Sequence, residues 1–357
     1  MANLIDYGLE EHFVTKDGLV PGRITEHMRD RYTVFTDYGE ITADLLGSFV
    51  HRVGLKEELP HVGDFVLLKY NGIGISQISE VLPRRTKFSR SNTTGGRTGH
   101  IRHAYEQVVA ANFDYVFIVS SLNQDFNISR IKRYYAQTLT SQATPVVILT
   151  KADLDEEYPD KISQVEEALP GVAVIAVSSH TGFGLSSLLD FLKPKKTVVF
   201  LGMSGVGKSS LLNTLMNQDV MAVKSIREDD GRGRHTTTHR ELFMLPGGAM
   251  VIDTPGMREL GFYDAEDGIK SVYTDIDELS RKCRFSDCGH NREPGCAIKK
   301  ALRQGILSHK DWEKYQAGIR EANFIDKKNE YQQARRKQAK SLSKFGKELK
   351  KSGKIRY

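Results

Sequence analysis

The sequence predicts an α/β chain: a mostly parallel sheet covered on both faces, a small all-β barrel before it and a helical, cysteine-bearing region after it. Three observations carry this prediction. Apolar strand candidates at 115–119, 146–149, 172–177 and 198–202 alternate with helical segments near 128–140, 161–169, 185–192 and 208–216, the pattern of a parallel sheet. Short apolar runs between turn residues fill 18–81, as in a barrel of about five strands. A glycine-rich loop, GMSGVGKS at 202–209, stands between strand and helix, downstream of TKAD at 150–153.

In chain order, 1–85 reads as the barrel, with turns at 37–39 and 71–74. An oligonucleotide-binding (OB) fold suits its length, and an SH3-like barrel is the alternative. Residues 86–104, rich in Arg, Thr, Ser and Gly, read as a flexible basic linker. The α/β domain then runs over 105–263, completed by a β-hairpin of 241–245 and 250–253 around Pro246, Gly247 and Gly248. Helical pattern and the cysteines occupy 264–325, and 326–357 is a strongly basic tail.

The loop's chemistry follows from its residue types. Glycines let successive N–H groups turn toward one anion, and the following helix N-terminus adds a positive field. In strand–loop–helix context, Gly202, Met203, Ser204, Gly205, Val206 and Gly207 form a phosphate cradle, with Lys208, Ser209 and Ser210 opening the helix. Lys208 is placed to bridge the β- and γ-phosphates and Ser209 to ligate Mg²⁺. Asp253 in DTPG, at the end of an apolar strand, can hold Mg²⁺ through water while the Gly256 N–H meets the γ-phosphate.

TKAD supplies the base reader. The Asp153 carboxylate can accept from guanine N1–H and the N2 amino group together; adenine lacks both donors and would leave it unpaired. Lys151 can lay its stem over the base, Ala152 spaces the two, and Thr150 stands where Asn is usual. Ser178 and Ser179, ending the next strand, suit a backbone contact to guanine O6. The base reader ordinarily follows the phosphate loop, so the order here implies a circularly permuted GTPase domain. Between loop and DTPG lies RGRHTTTHR, where Thr236 or Thr237 is a candidate to close on Mg²⁺. Met257 follows Gly256, and an apolar side chain cannot orient water. Hydrolysis is therefore expected to be slow alone, with His235 or His239 a candidate substitute for the water-orienting group.

Cys283-x₄-Cys288-x-His290-x₅-Cys296 contains all three cysteines of the chain. Three thiolates and one imidazole make a closed set for tetrahedral Zn²⁺, structural because no position stays open. Reduced buried cysteines beside a surface histidine are the plainer alternative. The odd, clustered count argues against a disulfide framework.

Composition bounds the rest. A chain of 357 residues with net charge +6 makes roughly two or three domains. No signal peptide or run of roughly twenty apolar residues is present, so a cytoplasmic protein without membrane contact is expected, as a monomer. A small-molecule kinase or ATPase is disfavoured by TKAD and DTPG, and a non-catalytic RNA-binding module remains a further class.

The order TKAD, SSHTGFG, GMSGVGKSSL, GRHTTT and DTPG, then the Cys₃His spacing, resembles the ribosome small-subunit-dependent GTPase A family (RsgA) over nearly the whole chain. VGDFV and EQVVAANFDYVFIV are similar to family segments as well. The resemblance implies an OB barrel, a permuted GTPase domain and a zinc domain. It also implies GTP hydrolysis stimulated by the small ribosomal subunit, contact with its rRNA, and a role in late maturation of that subunit. The alternative is another RNA-binding regulatory GTPase that does not act on the ribosome.

Overall fold

The structure, a computed structural model, describes residues 3–10, 15, 18–28, 31–53, 56–95, 101–123, 126–217, 240–254 and 266–323. The barrel consists of β1 (Val20–Met28), β2 (Arg31–Thr36), β3 (Gly39–Leu45), β4 (Phe65–Lys69) and β5 (Ser76–Val81), with α1 (Gly47–Arg52) between β3 and β4. Its strands run β1-β2-β3-β5-β4 and close through a β1–β4 pairing. All neighbours are antiparallel except β3 with β5. Ile24, Val34, Ala43, Val66, Leu68 and Ile78 are buried, giving the apolar interior that alternating strands supply.

Over 87–95 and 101–104 the structure differs from the flexible linker expected for 86–104. Strands β6 (Lys87–Gly95) and β7 (Ile101–Ala111) form an antiparallel ribbon, from Lys87 opposite Ala111 to Gly95 opposite Ile101. Thr and Ser read as loop residues by composition, yet Thr is a good strand former when a partner is present. The partner's inner residues Val108, Val109, Ala110 and Ala111 are buried. Glu106 fixes the register, accepting from Ser89 Oγ at 2.6 Å and Lys87 Nζ at 2.7 Å.

The second sheet is built from β8 (Tyr115–Ser121), β9 (Thr144–Thr150), β10 (Ala173–Val177), β11 (Thr197–Leu201), β12 (Arg240–Met244) and β13 (Met250–Asp253). Strands β10, β9, β8, β11 and β13 are parallel in that order, and β12 returns antiparallel on β13. Burial on both faces explains the uninterrupted apolar runs. Val116, Ile118, Val199 and Leu201 face one core, while Phe117, Val119, Val198 and Phe200 face the other. Helices α2 (Ile128–Leu139), α3 (Tyr158–Ala168) and α4 (Lys208–Met216) are the crossovers. The expected helix over 185–192 is only a 3-10 turn, Leu185–Leu188. Left-handed Gly182 and Gly184 before it and left-handed Lys195 after it bound the segment.

Barrel and second sheet join edge to edge. Glu26 pairs with Glu241 and His27 with Arg240, so β12 and β1 make one eleven-stranded sheet. Arg23 locks this junction from within, buried at 1% exposure. Its guanidinium donates to Tyr7 O at 2.5 Å, Asn112 O at 2.7 Å and Gly63 O at 3.3 Å. Burial lowers its pKa to about 9, opposed chiefly by the Asp114 charge.

The last region holds α5 (Glu266–Val272), α6 (Thr274–Arg281), α7 (Ala297–Arg303) and a helix α8 over 309–323. It is fastened to α2. A Cβ at Gly268 would meet Ala136 O at 2.1 Å, so only glycine lets α5 approach this closely. Arg133 grips Glu321 at 2.8 and 3.0 Å, and Lys314 Nζ donates to Ser129 Oγ. The basic tail lies outside the described residues.

Candidate functional site: nucleotide pocket and metal centre

Strand β11 delivers the chain to the carboxyl edge of the second sheet, where open α/β folds bind ligands. Gly202 leaves that edge so tightly that a Cβ would lie 2.4 Å from Val119 O. Gly205 and Gly207 follow with φ of +87° and +95°, the left-handed turns that point backbone N–H groups inward. Lys208 caps the loop from α4, buried, with its ammonium donating to Gly202 O and Met203 O, both at 2.7 Å. Burial depresses its pKa to about 8, opposed by the Asp253 charge. Ser209 and Ser210 stand half-buried on the first turn of α4.

The TKAD segment meets this loop directly. The Thr150 hydroxyl, ending β9, donates to Val206 O at 2.5 Å. Lys151, in a left-handed turn at φ 63°, donates from Nζ to Gly205 O at 3.1 Å. A Cβ on Gly207 would stand 3.4 Å from Thr150 Oγ1, so loop and threonine are in near contact. The hydroxyl therefore does the bracing that Asn usually supplies at this position. Ala152 is buried and Asp153 exposed on the 3-10 turn that follows.

Ser178 sits fully buried at the end of β10. Its Oγ accepts from the His180 and Thr181 N–H groups, closing a tight loop. Ser179 O accepts from Thr214 on α4 at 3.4 Å, which draws this loop toward the phosphate side. Asp253 ends β13, opposite Phe200 on β11, and is buried. Thr254 Oγ1 donates to Phe200 O at 2.5 Å, holding the start of DTPG against the sheet. Thus Thr150 to Asp153, Ser178, Ser179, Gly202 to Ser210 and Asp253 gather at one sheet edge. His235, Thr236, Thr237, His239, Gly256 and Met257 lie outside the described residues.

Sequence reasoning left the Thr150 bond to the loop open and missed that of Lys151. Their signal was present only as the separate motifs, 56 positions apart between Thr150 and Val206.

The metal centre is local. Cys283, Cys288, His290 and Cys296 place one ligand atom each within 4.8 Å of all the others. A tetrahedral ion with Zn–S of about 2.3 Å and Zn–N of about 2.0 Å requires S···S near ~3.8 Å and S···N near ~3.5 Å. Cys283 and Cys296 Sγ are 3.9 Å apart, and they stand 3.6 and 3.5 Å from His290 Nδ1. The donor set fits that ion. Backbone N–H groups of Ala297 and Lys299 donate to the sulfurs of Cys283 and Cys296. Glu293 accepts from the N–H groups of Gly289, Asn291 and Arg292 and ties the loop. Trp312 from α8 packs edge-on to His290 at 5.4 Å.

Among the described residues no helix is long and apolar enough to cross a membrane. The sequence profile described as RsgA GTPase matches residues 81–263. Small ribosomal subunit biogenesis GTPase RsgA 2 of Listeria monocytogenes is 44% identical over 308 residues, 86% of this chain and 85% of that protein. Of solved structures, YjeQ of Thermotoga maritima is similar over 85% of this chain and 98% of its own, with a TM-score of 0.59 and 26% identity. YloQ, described as a circularly permuted GTPase, matches 88% of this chain and 98% of its own at TM-score 0.55 and 24% identity, a likeness of fold. With its motifs in permuted order and a relative this similar over most of both chains, the chain belongs to the RsgA GTPase family.

Proposed function

We propose that this protein hydrolyses GTP as a late assembly factor of the small ribosomal subunit, contacts that subunit's rRNA, and is stimulated by the subunit. The observation that carries the nucleotide part is the Thr150–Val206 bond. It fastens the base reader to the phosphate cradle and makes one pocket of two segments in inverted order. The subunit part rests on the similarity to a small-subunit biogenesis GTPase.

In this reading Lys208 exchanges the carbonyls of Gly202 and Met203 for the β- and γ-phosphates. Ser209 would ligate Mg²⁺ and Asp253 would hold it through water, with Thr236 or Thr237 closing on it and the Gly256 N–H meeting the γ-phosphate. Asp153 selects guanine, and the Ser178–Ser179 loop meets O6. Met257 gives the free protein no group to orient water, so turnover waits for the subunit. The Cys₃His centre holds one structural Zn²⁺. The protein acts as a cytoplasmic monomer.

GTP turnover titrated with small subunits, large subunits and free rRNA tests this. Small subunits should raise the rate by about 10³-fold, the lower end of what groups supplied in trans achieve. Equal stimulation by both subunits, or none, would overturn the ribosomal assignment. Asp153→Asn should abolish the preference for GDP over ADP in calorimetry; an unchanged preference would remove the base reader.

A further inference from the structure

We propose that Arg284 and Phe285, on the metal loop, form a stacking ledge for an unpaired nucleotide of RNA. Phe285 is 41% exposed between two metal ligands, Cys283 and Cys288, and it takes no part in the apolar cluster beneath them. The Arg284 guanidinium lies over its ring, 5.5 Å from the centroid. The backbone of that arginine is anchored by its neighbour Gly295. Its N–H donates to Gly295 O at 3.2 Å, and Gly295, at φ +79°, carries no Cβ where one would press 3.0 Å from Arg284 Cβ and 3.3 Å from Cδ. Cys288 N donates to Phe285 O and closes the turn on the other side. The ligand cluster at both ends of this short loop fixes the pair in place.

Charge selects the occupant. Residues 281–303 contain seven Lys and Arg against Asp287 and Glu293. Glu293 is already engaged by three backbone N–H groups. A polyanion is therefore attracted, and an exposed aromatic face with a guanidinium in contact suits a base. A duplex hides its base faces within the stack, and a chain of Asp and Glu offers no aromatic ring face, so a single-stranded segment fits best. The inference deepens the proposed function and rests on it only in taking RNA as the polyanion.

The test uses full-length, zinc-loaded protein and a fluorescent short oligouridylate, with an RNA duplex and polyglutamate as comparison ligands. Phe285→Ala should weaken oligouridylate binding about tenfold, in the range of one lost base stack, while the salt dependence and duplex binding stay unchanged. Phe285→Trp should restore affinity, and Phe285→Leu should not. Arg284→Gln should reduce the slope of affinity against salt by about one. Zinc content and GDP affinity, measured on each variant, separate these effects from unfolding. Unaltered oligouridylate binding by zinc-loaded Phe285→Ala or Phe285→Leu, or displacement by polyglutamate as readily as by RNA, would overturn the ledge. Subunit stimulation of the unaltered protein fails or succeeds independently: its absence would end the ribosomal reading and leave a Phe285-dependent RNA contact intact.

Discussion

The candidate metal centre and the candidate nucleotide pocket are built by opposite routes. The four candidate ligands fall within one short stretch, and their spacing, the left-handed turns at His290 and Gly295 and the tie from Glu293 are all local. The nucleotide pocket draws on the ends of β9, β10, β11 and β13. Its parts meet only because strand order and register bring them to one edge. A local site can be read from spacing and fails when a ligand is lost. A distributed site is sensitive to the backbone packing between its strands.

Removing a ligand should break that comparison most sharply. Cys283→Ser is expected to abolish stoichiometric zinc and unfold the metal module, since structural zinc contributes about 10–16 kcal/mol of apparent binding energy. GDP affinity should hold within a few-fold in calorimetry, because none of the pocket residues lies in that stretch; its loss would show that the two sites are not separable.

Gly202→Ala probes the other route. The added methyl would meet Val119 O at 2.4 Å, and chemical denaturation should show a loss of about 3 kcal/mol with GDP binding abolished. Gly205→Ala, with nothing within 4 Å of its Cβ, should cost only about 1 kcal/mol for its left-handed backbone. Equal costs would mean that the close approach at Gly202 does not matter.

Thr150→Val is a smaller change of nearly the same shape. It deletes the donor to Val206 O and should cost about 1–2 kcal/mol with a matching drop in GDP affinity. Thr150→Ser should keep most of both. If the valine variant binds GDP normally, the clamp between reader and cradle is not needed.

The smallest effect is one of pH. Lys208 is held near 8 by burial in the free protein, and a bound phosphate favours its charged form. Nucleotide binding therefore takes up a proton above about pH 8, and affinity falls as pH rises, by at most about tenfold per unit. At neutral pH the lysine is charged in both states and the effect vanishes. Calorimetry in buffers of different ionisation enthalpy should detect uptake at the higher pH and almost none at neutral pH.

Much of this was legible in the sequence. The residues of α4 follow from the phosphate-loop pattern and match 208–216 in the structure. The runs at β8, β9 and β11 are legible because a strand buried on both faces is apolar along most of its length. The ribbon β6–β7 was not legible, since Ser and Thr become strand residues only against a partner such as Glu106 and the buried face of β7.

The sequence by itself marked out the candidate chemistry: a phosphate-loop pattern, the TKAD segment and a Cys₃His tetrad, each a set of residue types at short spacing. Only the tertiary structure decided that the Thr150 hydroxyl reaches Val206, that Arg23 lies buried between barrel and second sheet, and that β1 continues the second sheet through β12. The physical reason is range. Short spacings are governed by local backbone geometry, whereas contacts between distant segments depend on strand register and on which buried polar groups find partners after the core has packed.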